Sequence, residues 1–160
     1  MIKLKGPGDL GWIISMHGSV YSREFNFNSI FELDIARKAI SLCEKDDGFT
    51  KIWIKEVDNK NAGSIAISEI DKDIAFINFL LVLEEYRGKG IAQILIKHAI
   101  EYGKSNGYKF IRLETYSCLK SARKIYDGLG FKISEKVKKV EKYGQKFDQE
   151  FWQLSLIGNL

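Results

Sequence analysis

The stretch Val82-Leu83-Glu84-Glu85-Tyr86-Arg87-Gly88-Lys89-Gly90-Ile91-Ala92 joins two different periodicities. Before it, residues 74–83 form an apolar run broken by Asn78, suited to a central strand covered on both faces. After it, Ile91, Ile94, Leu95, His98, Ala99 and Tyr102 recur at three- and four-residue spacing, the pattern of an amphipathic helix, and Ser105-Asn106-Gly107 closes it. A strand, a glycine loop and a helix in that order leave unpaired N–H groups at the positive end of the helix dipole. Glycine also lets backbone approach a ligand with no Cβ in the way. Together these make a cradle for phosphate. Gln93 stands where a dinucleotide fingerprint would have its third glycine, and no Gly-Lys-Ser/Thr is present. Taken alone, the loop reads equally well as a tight turn with two permissive glycines.

Downstream, residues 109–115 read as a strand and 118–129 as a helix with Ser117 as its cap and Gly130 just past its end. Residues 131–140 and 147–156 read as two further strands. Upstream, residues 10–14 look like a short strand and 17–26 like a helix or ordered loop. From Asn28, Phe31, Ile35, Ala39 and Leu42 mark a helix that ends near Asp46-Asp47-Gly48. Residues 51–57 and 63–70 alternate as two antiparallel strands joined by a turn at 58–61, and Asp71-Lys72-Asp73 turns the chain into the central strand. Antiparallel strands followed by strand, helix, strand, helix, strand predict an α/β domain of the α+β kind, a mixed sheet with helices on both faces. No repeat or linker divides the chain, so residues 1–160 are read as one domain.

The 160 residues suffice for one core, and 45% hydrophobic with 12% aromatic composition excludes a disordered chain. No apolar run reaches membrane-spanning length, and the N-terminus shows no signal-like stretch, so a cytoplasmic protein with no membrane partner is expected. Cys43 and Cys118 both fall in helical patterns and read as reduced packing residues. A catalytic thiol at Cys118 would need an activating histidine, and only His17 and His98 exist. No metal-ligand spacing occurs. The net charge of +4 is spread among 21 acidic residues without a basic run, so no nucleic-acid partner is expected, while a few local cations would serve a polyanionic ligand.

Within residues 82–92, Arg87, Gly90 and Ala92 are similar to the acetyl-coenzyme A-binding motif of the GNAT family of N-acetyltransferases, Gln/Arg-x-x-Gly-x-Gly/Ala. Ala122, Tyr126, Gly130 and Phe131 resemble that family's second signature, Ala-x-x-x-Tyr-x-x-x-Gly-Phe, at the expected distance after the strand at 109–115. Residues 8–21 and 143–154 resemble most nearly the acetyltransferase half of bacterial proteins that fuse this domain to a MarR-type DNA-binding module.

The resemblance implies a mixed, mostly antiparallel sheet of about seven strands flanked by about four helices. It implies acetyl-CoA (acetyl-coenzyme A) as co-substrate, no metal, and direct attack by an amine acceptor, small molecule or protein, in a ternary complex. The alternative is a non-catalytic acyl-coenzyme A-binding sensor. It also implies that Gly88, Lys89, Gly90, Ile91 and Ala92 hold the pyrophosphate with Arg87 adding charge, and that Leu81 and Val82 pair with the pantetheine arm as an added strand would. Tyr126 becomes the general acid for the leaving thiolate; without the motif it would be an ordinary inner-face aromatic. Glu84 is the candidate general base, although many relatives carry proline there and a solvated acid is the plain alternative. His17, Glu24 and Asn78 are candidate substrate-binding residues. Leu119 stands where many relatives have an asparagine that binds the pantetheine or orders the loop, so the resemblance implies that cofactor hydrogen bonding there is either reduced or supplied by Ser117 or Thr115. Lys124 is placed near the 3′-phosphate, or on a solvated helix face. The strand at 147–156 offers an edge for a homodimer contact.

Overall fold

The alternating residues 51–71 form a hairpin in the computed structural model, which describes residues 1–158: β2 (Lys51–Val57) pairs antiparallel with β3 (Lys60–Asp71). Asp58 and Asn59 turn it with φ of 51° and 64°, a left-handed geometry that these residue types tolerate. β4 (Ile74–Val82), β5 (Phe110–Tyr116), β6 (Lys132–Lys142) and β7 (Gln145–Ser155) follow, and a short β1 (Ile2–Leu4) borders β2. The three residues of β1 are too few to show a period, so the sequence reading passes over them. The seven strands run in the order β1-β2-β3-β4-β5-β7-β6, and β4 with β5 is the parallel pair. With α1 (Asp9–Phe25), α2 (Ser29–Cys43), α3 (Ile91–Ser105) and α4 (Lys120–Gly128), this is the expected mixed sheet with four helices.

Strand alternation sends the core to both faces. Ile65, Ile67, Ala75, Ile77, Ile111 and Leu113 pack with Leu95, Ile96 and Ala99 of α3 and Tyr126 of α4. Ile52, Ile54, Ala66, Phe79 and Tyr116 pack with Ile13 of α1 and with Phe31, Ile35 and Ala39 of α2. Each face is therefore closed by helices, and the chemistry is left to the place where the sheet itself opens.

Five local expectations are corrected. Residues 10–14 are not a strand but lie in α1, whose Asp9, Ile13, His17 and Val20 are buried at helical spacing; Gly11 and Gly18, poor helix formers, obscure the period. Cys118 precedes α4 instead of lying in it, and Ser117 does not cap the helix: its Oγ accepts from the Asp148 N–H at 2.9 Å. Cys43 is exposed at the end of α2 and is not a buried packing residue. β7 is interior, between β5 and β6, so the sheet's edge on that side is β6. Among the described residues, no helix is long and apolar enough to cross a membrane.

Gly63 of β3 faces Val82 across the ladder, and a Cβ there would stand 2.7 Å from the backbone oxygen of Leu81. Backbone cannot swing aside as a side chain can. Gly63→Ala is expected to cost about 1–3 kcal/mol, read as a lower midpoint in urea unfolding; an unchanged midpoint would mean that β3 and β4 part freely.

Candidate active site

β4 and β5 begin as neighbours and then separate. Their parallel ladder holds at Ile74, Ala75 and Phe76 against Phe110, Ile111 and Arg112, and no pairing continues beyond. The cause lies in β4. Ser64 faces Leu81 and Ala66 faces Asn78, so Phe79 and Leu80 together oppose Ile65, which is a β-bulge. Phe79 sits at φ 54°, and its ring joins the α1/α2 core, whereas Ala75 and Ile77 before it, and Leu80 and Val82 after it, face α3. The extra residue shifts the alternation by one. Ser64, fully buried, donates its hydroxyl to the Phe79 carbonyl at 2.6 Å and holds the bulge from the β3 side.

The separation opens a cleft of about 90 Å³ lined by residues of β4 and β5, by Tyr126 of α4, and by His17, Tyr21, Phe31 and Ile35 of α1 and α2. Beyond its end the chain passes through a 3-10 turn at Glu84–Tyr86 into the glycine loop. Gly88 and Gly90 adopt φ of 78° and 76°, with open space where a Cβ would be. The helical ladder of α3 starts with the Ile94 N–H on the Gly90 carbonyl, and no protein acceptor meets the N–H groups of residues 88–93 among the described residues. A run of free amides at a helix N-terminus is the arrangement that holds phosphate oxygens. Lys89, exposed beside them, adds a positive charge.

The residues singled out from the sequence fall into distinct places. Gly88, Lys89, Gly90, Ile91 and Ala92 form the amide loop. Leu81, buried, and Val82, half-buried, lie on β4 beyond the last β5 pair. Tyr126, His17 and Asn78 line the cleft together. The Tyr126 hydroxyl has no hydrogen bond among the described residues, and burial, with a smaller effect from Tyr21, raises its pKa well above the ordinary tyrosine value. Asn78 donates to Ser68 at 3.2 Å. Arg87 and Glu24 are paired with each other: the guanidinium spans both carboxylate oxygens at 2.5 and 2.8 Å, and Arg87 Nε donates to the Val82 carbonyl at 3.0 Å. Glu24 borders a second depression of about 430 Å³ with Arg23, Phe25, Cys118 and Phe147. Glu84 is exposed on the 3-10 turn and is not among the cleft-lining residues. Among the described residues, no group of three or more His, Cys, Asp or Glu clusters as metal ligands would.

Sequence reasoning missed Glu114. Within β5 it looks like the polar partner in an ordinary alternation, yet the cleft exposes it beside Tyr116 and Lys38. Its carboxylate accepts from Gln149 at 2.6 Å and stands 4.0 Å from Lys38. Only the opening of the sheet, invisible in the strand's own pattern, marks it.

The model of the acetyltransferase (GNAT) family matches residues 18–131. An uncharacterized N-acetyltransferase of Methanocaldococcus jannaschii is 37% identical over 99 residues, which are 58% of this chain and 42% of that protein. The chain spans less than half the length of the curated relatives it matches. An N-acetyltransferase structure from Staphylococcus aureus Mu50 superimposes with a TM-score of 0.80 at 20% identity, covering 98% of each chain. A Salmonella typhimurium protein assigned as an acetyltransferase, solved with its cofactor acetyl-CoA, gives 0.76 at 14% identity over 100% of this chain and 95% of that one. At these identities the structural likeness is one of fold.

His17 carries a pH dependence. Burial lowers its pKa from 6.5 to about 4, against an opposing effect from its Nδ1 contact with the Ile13 carbonyl at 2.7 Å. The unfolded chain therefore binds the extra proton first. The contribution is fully present above the unfolded value and is lost as pH falls toward the folded one. Between about pH 7 and about pH 5 the native protein should lose roughly 2 kcal/mol from this group, a slope that His17→Gln removes in urea titrations at the two pH values. Equal slopes in both proteins would mean that His17 is not held neutral.

Proposed function

The chain belongs to the acetyltransferase (GNAT) family, and from that premise we propose that it moves an acetyl group from acetyl-coenzyme A to a primary amine by direct attack in a ternary complex. The observation that carries the reading is the released edge of β4, with free amides of residues 88–93 at its far end and Tyr126 in the cleft beside it. Amides at 88–92 would bind the diphosphate, and the backbone of Leu81 and Val82 would align the pantetheine arm as an added strand. Arg87 adds charge within its pair with Glu24.

Tyr126 is the proton donor to the leaving thiolate. Burial keeps its phenol protonated at neutral pH, so the proton is there to give. The ammonium of the acceptor must lose a proton before attack. Glu84 is one candidate for receiving it; Glu114 is favoured by its place in the cleft. His17 and Asn78 are proposed to contact the acceptor, a small-molecule or protein amine, with Glu24 beside the neighbouring depression. Residues 8–21 and 143–154, in α1 and the β6–β7 hairpin, support a placement near the acetyltransferase half of the MarR-type fusions. Two free cysteines are in keeping with a reducing, cytoplasmic setting.

Calorimetric titration with acetyl-coenzyme A should show binding that Gly90→Trp abolishes, since φ of 76° at this position suits glycine and a bulky side chain would strain the loop that presents the amides. Over an amine panel, Tyr126→Phe should lower kcat on the order of a hundredfold with circular dichroism unchanged. No binding by the wild type sinks the proposal, and binding without turnover would make the protein a sensor.

Glu114→Gln should cost more activity than Glu84→Gln, read as kcat/KM over the same amine panel. The reverse ranking would return the base to the 3-10 turn.

A further inference from the structure

We infer that the acceptor is a free α-amino acid, its ammonium received by Glu114 and Asn78 and its carboxylate by Lys38; the inference rests on the acetyl-transfer reading above and narrows it. β4 and β5 last pair at Phe76 and Arg112. Two residues further along each strand stand Asn78 and Glu114. Ala75, Ile77, Ile111 and Leu113 face α3, so strand alternation turns Asn78 and Glu114 toward the opposite face, which carries α2. Lys38 of α2 lines the cleft with them. Lys38 and Glu114 are the charged side chains of this lining, because burial lowers the His17 pKa to about 4 and leaves that ring neutral near pH 7.

The Lys38 Nζ stands 4.0 Å from Glu114 Oε2, too far for a hydrogen bond, so each group keeps its bonding capacity toward the cleft. Glu114 Oε1 accepts from Gln149 at 2.6 Å, which fixes the carboxylate and leaves Oε2 open. Asn78 donates its amide N–H to Ser68 at 3.2 Å, and its Oδ1 receives no donor among the described residues. The neighbouring charges are committed elsewhere. Asp34 accepts from the Tyr143 hydroxyl at 2.8 Å and has Arg37 at 3.8 Å, and Arg112 directs Nε and Nη2 to Gln153 at 3.2 and 2.8 Å. One anion and one cation side by side, neither filled by the other, match a ligand that bears ammonium and carboxylate on a single carbon. An amine without the carboxylate would displace water from Lys38 and return no partner. The α-nitrogen then forms the amide bond as the thioester C–S bond breaks. Tyr126 protonates the thiolate, and the two protons that the nitrogen sheds go to Glu114 and back to Tyr126.

The test compares L-amino acids with their carboxamides at one pH. Wild type should acetylate the acids with the higher kcat/KM. Lys38→Met keeps the aliphatic stem and deletes the charge, and the acid-to-amide ratio of kcat/KM should then fall on the order of tenfold to a hundredfold, mainly through KM. Lys38→Arg, which keeps the charge, should recover most of the ratio. The Lys38 side chain is 51% exposed, so the urea midpoint should not move in either variant. Amides equal to or better than acids in the wild type overturn the inference, as does an unchanged ratio in Lys38→Met. Turnover of other amines with no L-amino acid accepted overturns it too, and leaves acetyl transfer standing. Failure of the wild type to bind acetyl-coenzyme A would instead overturn the function proposed above.

Discussion

The backbone at Phe79 decides what the rest of the sheet can do. A non-glycine residue held in the left-handed region costs on the order of 1–2 kcal/mol. The surroundings hold it there: the Ser64 hydroxyl grips its carbonyl, and its ring is wedged into the α1/α2 core edge-on to His17. The extra residue shifts the alternation by one, so Leu80 and Val82 face α3 where unbroken alternation would have sent Phe79 and Leu81. Past the bulge, β4 keeps its hydrogen bonds to β3 and has none to β5. An interior parallel strand normally pairs on both sides. Here half of one side is left over, and the cleft, the glycine loop and Tyr126 are arranged along it.

The opposite wall needs equal fixity, and it comes from charge. Glu150 is fully buried on β7, and Arg123 of α4 bridges to it with two bonds while Trp152 and Lys136 complete its coordination. Removing one partner from such a pair leaves a buried charge uncompensated, so breaking it is strongly destabilising even where the intact pair adds little net stability. Arg123 stands three residues before Tyr126 on the same short helix, so the ion pair also fixes the turn that carries the tyrosine. One wall is held by a strained backbone and the other by a saturated carboxylate.

Most of the strand and helix pattern was legible in the sequence because it depends on local periodicity: the hairpin at residues 51–71, the central strand, α2, α3 and the glycine loop. The misses were of two kinds. Residues 10–14 and 117–118 were misassigned where glycine dilutes a helical period or where a hydroxyl that resembles a cap serves a distant N–H at Asp148. Glu114 was overlooked for a different reason. Nothing in Phe110–Tyr116 reports that its neighbour β4 departs after the third pair, so a cleft-facing residue and a solvent-facing one look alike. The bulge that creates the difference sits in an apolar run in which Phe79 is one hydrophobic residue among many.

The pairing of Arg87 with Glu24 changes what each can contribute. Read separately, one is a cation for the diphosphate and the other an acid for the acceptor; in the fold each neutralises the other, with side chains 40% and 24% exposed. Ion pairs this accessible are worth about 0–1 kcal/mol. Exchange of carboxylate for diphosphate at Arg87 would therefore be nearly neutral. The net attraction for an anion must then come from groups with no carboxylate or carbonyl partner to give up among the described residues, and those are the amides of residues 88–93, with Lys89 beside them resting 6.0 Å from the Tyr86 ring centroid. The guanidinium's more durable role is mechanical: through Glu24 and the Val82 carbonyl it ties the last turn of α1 to the end of β4.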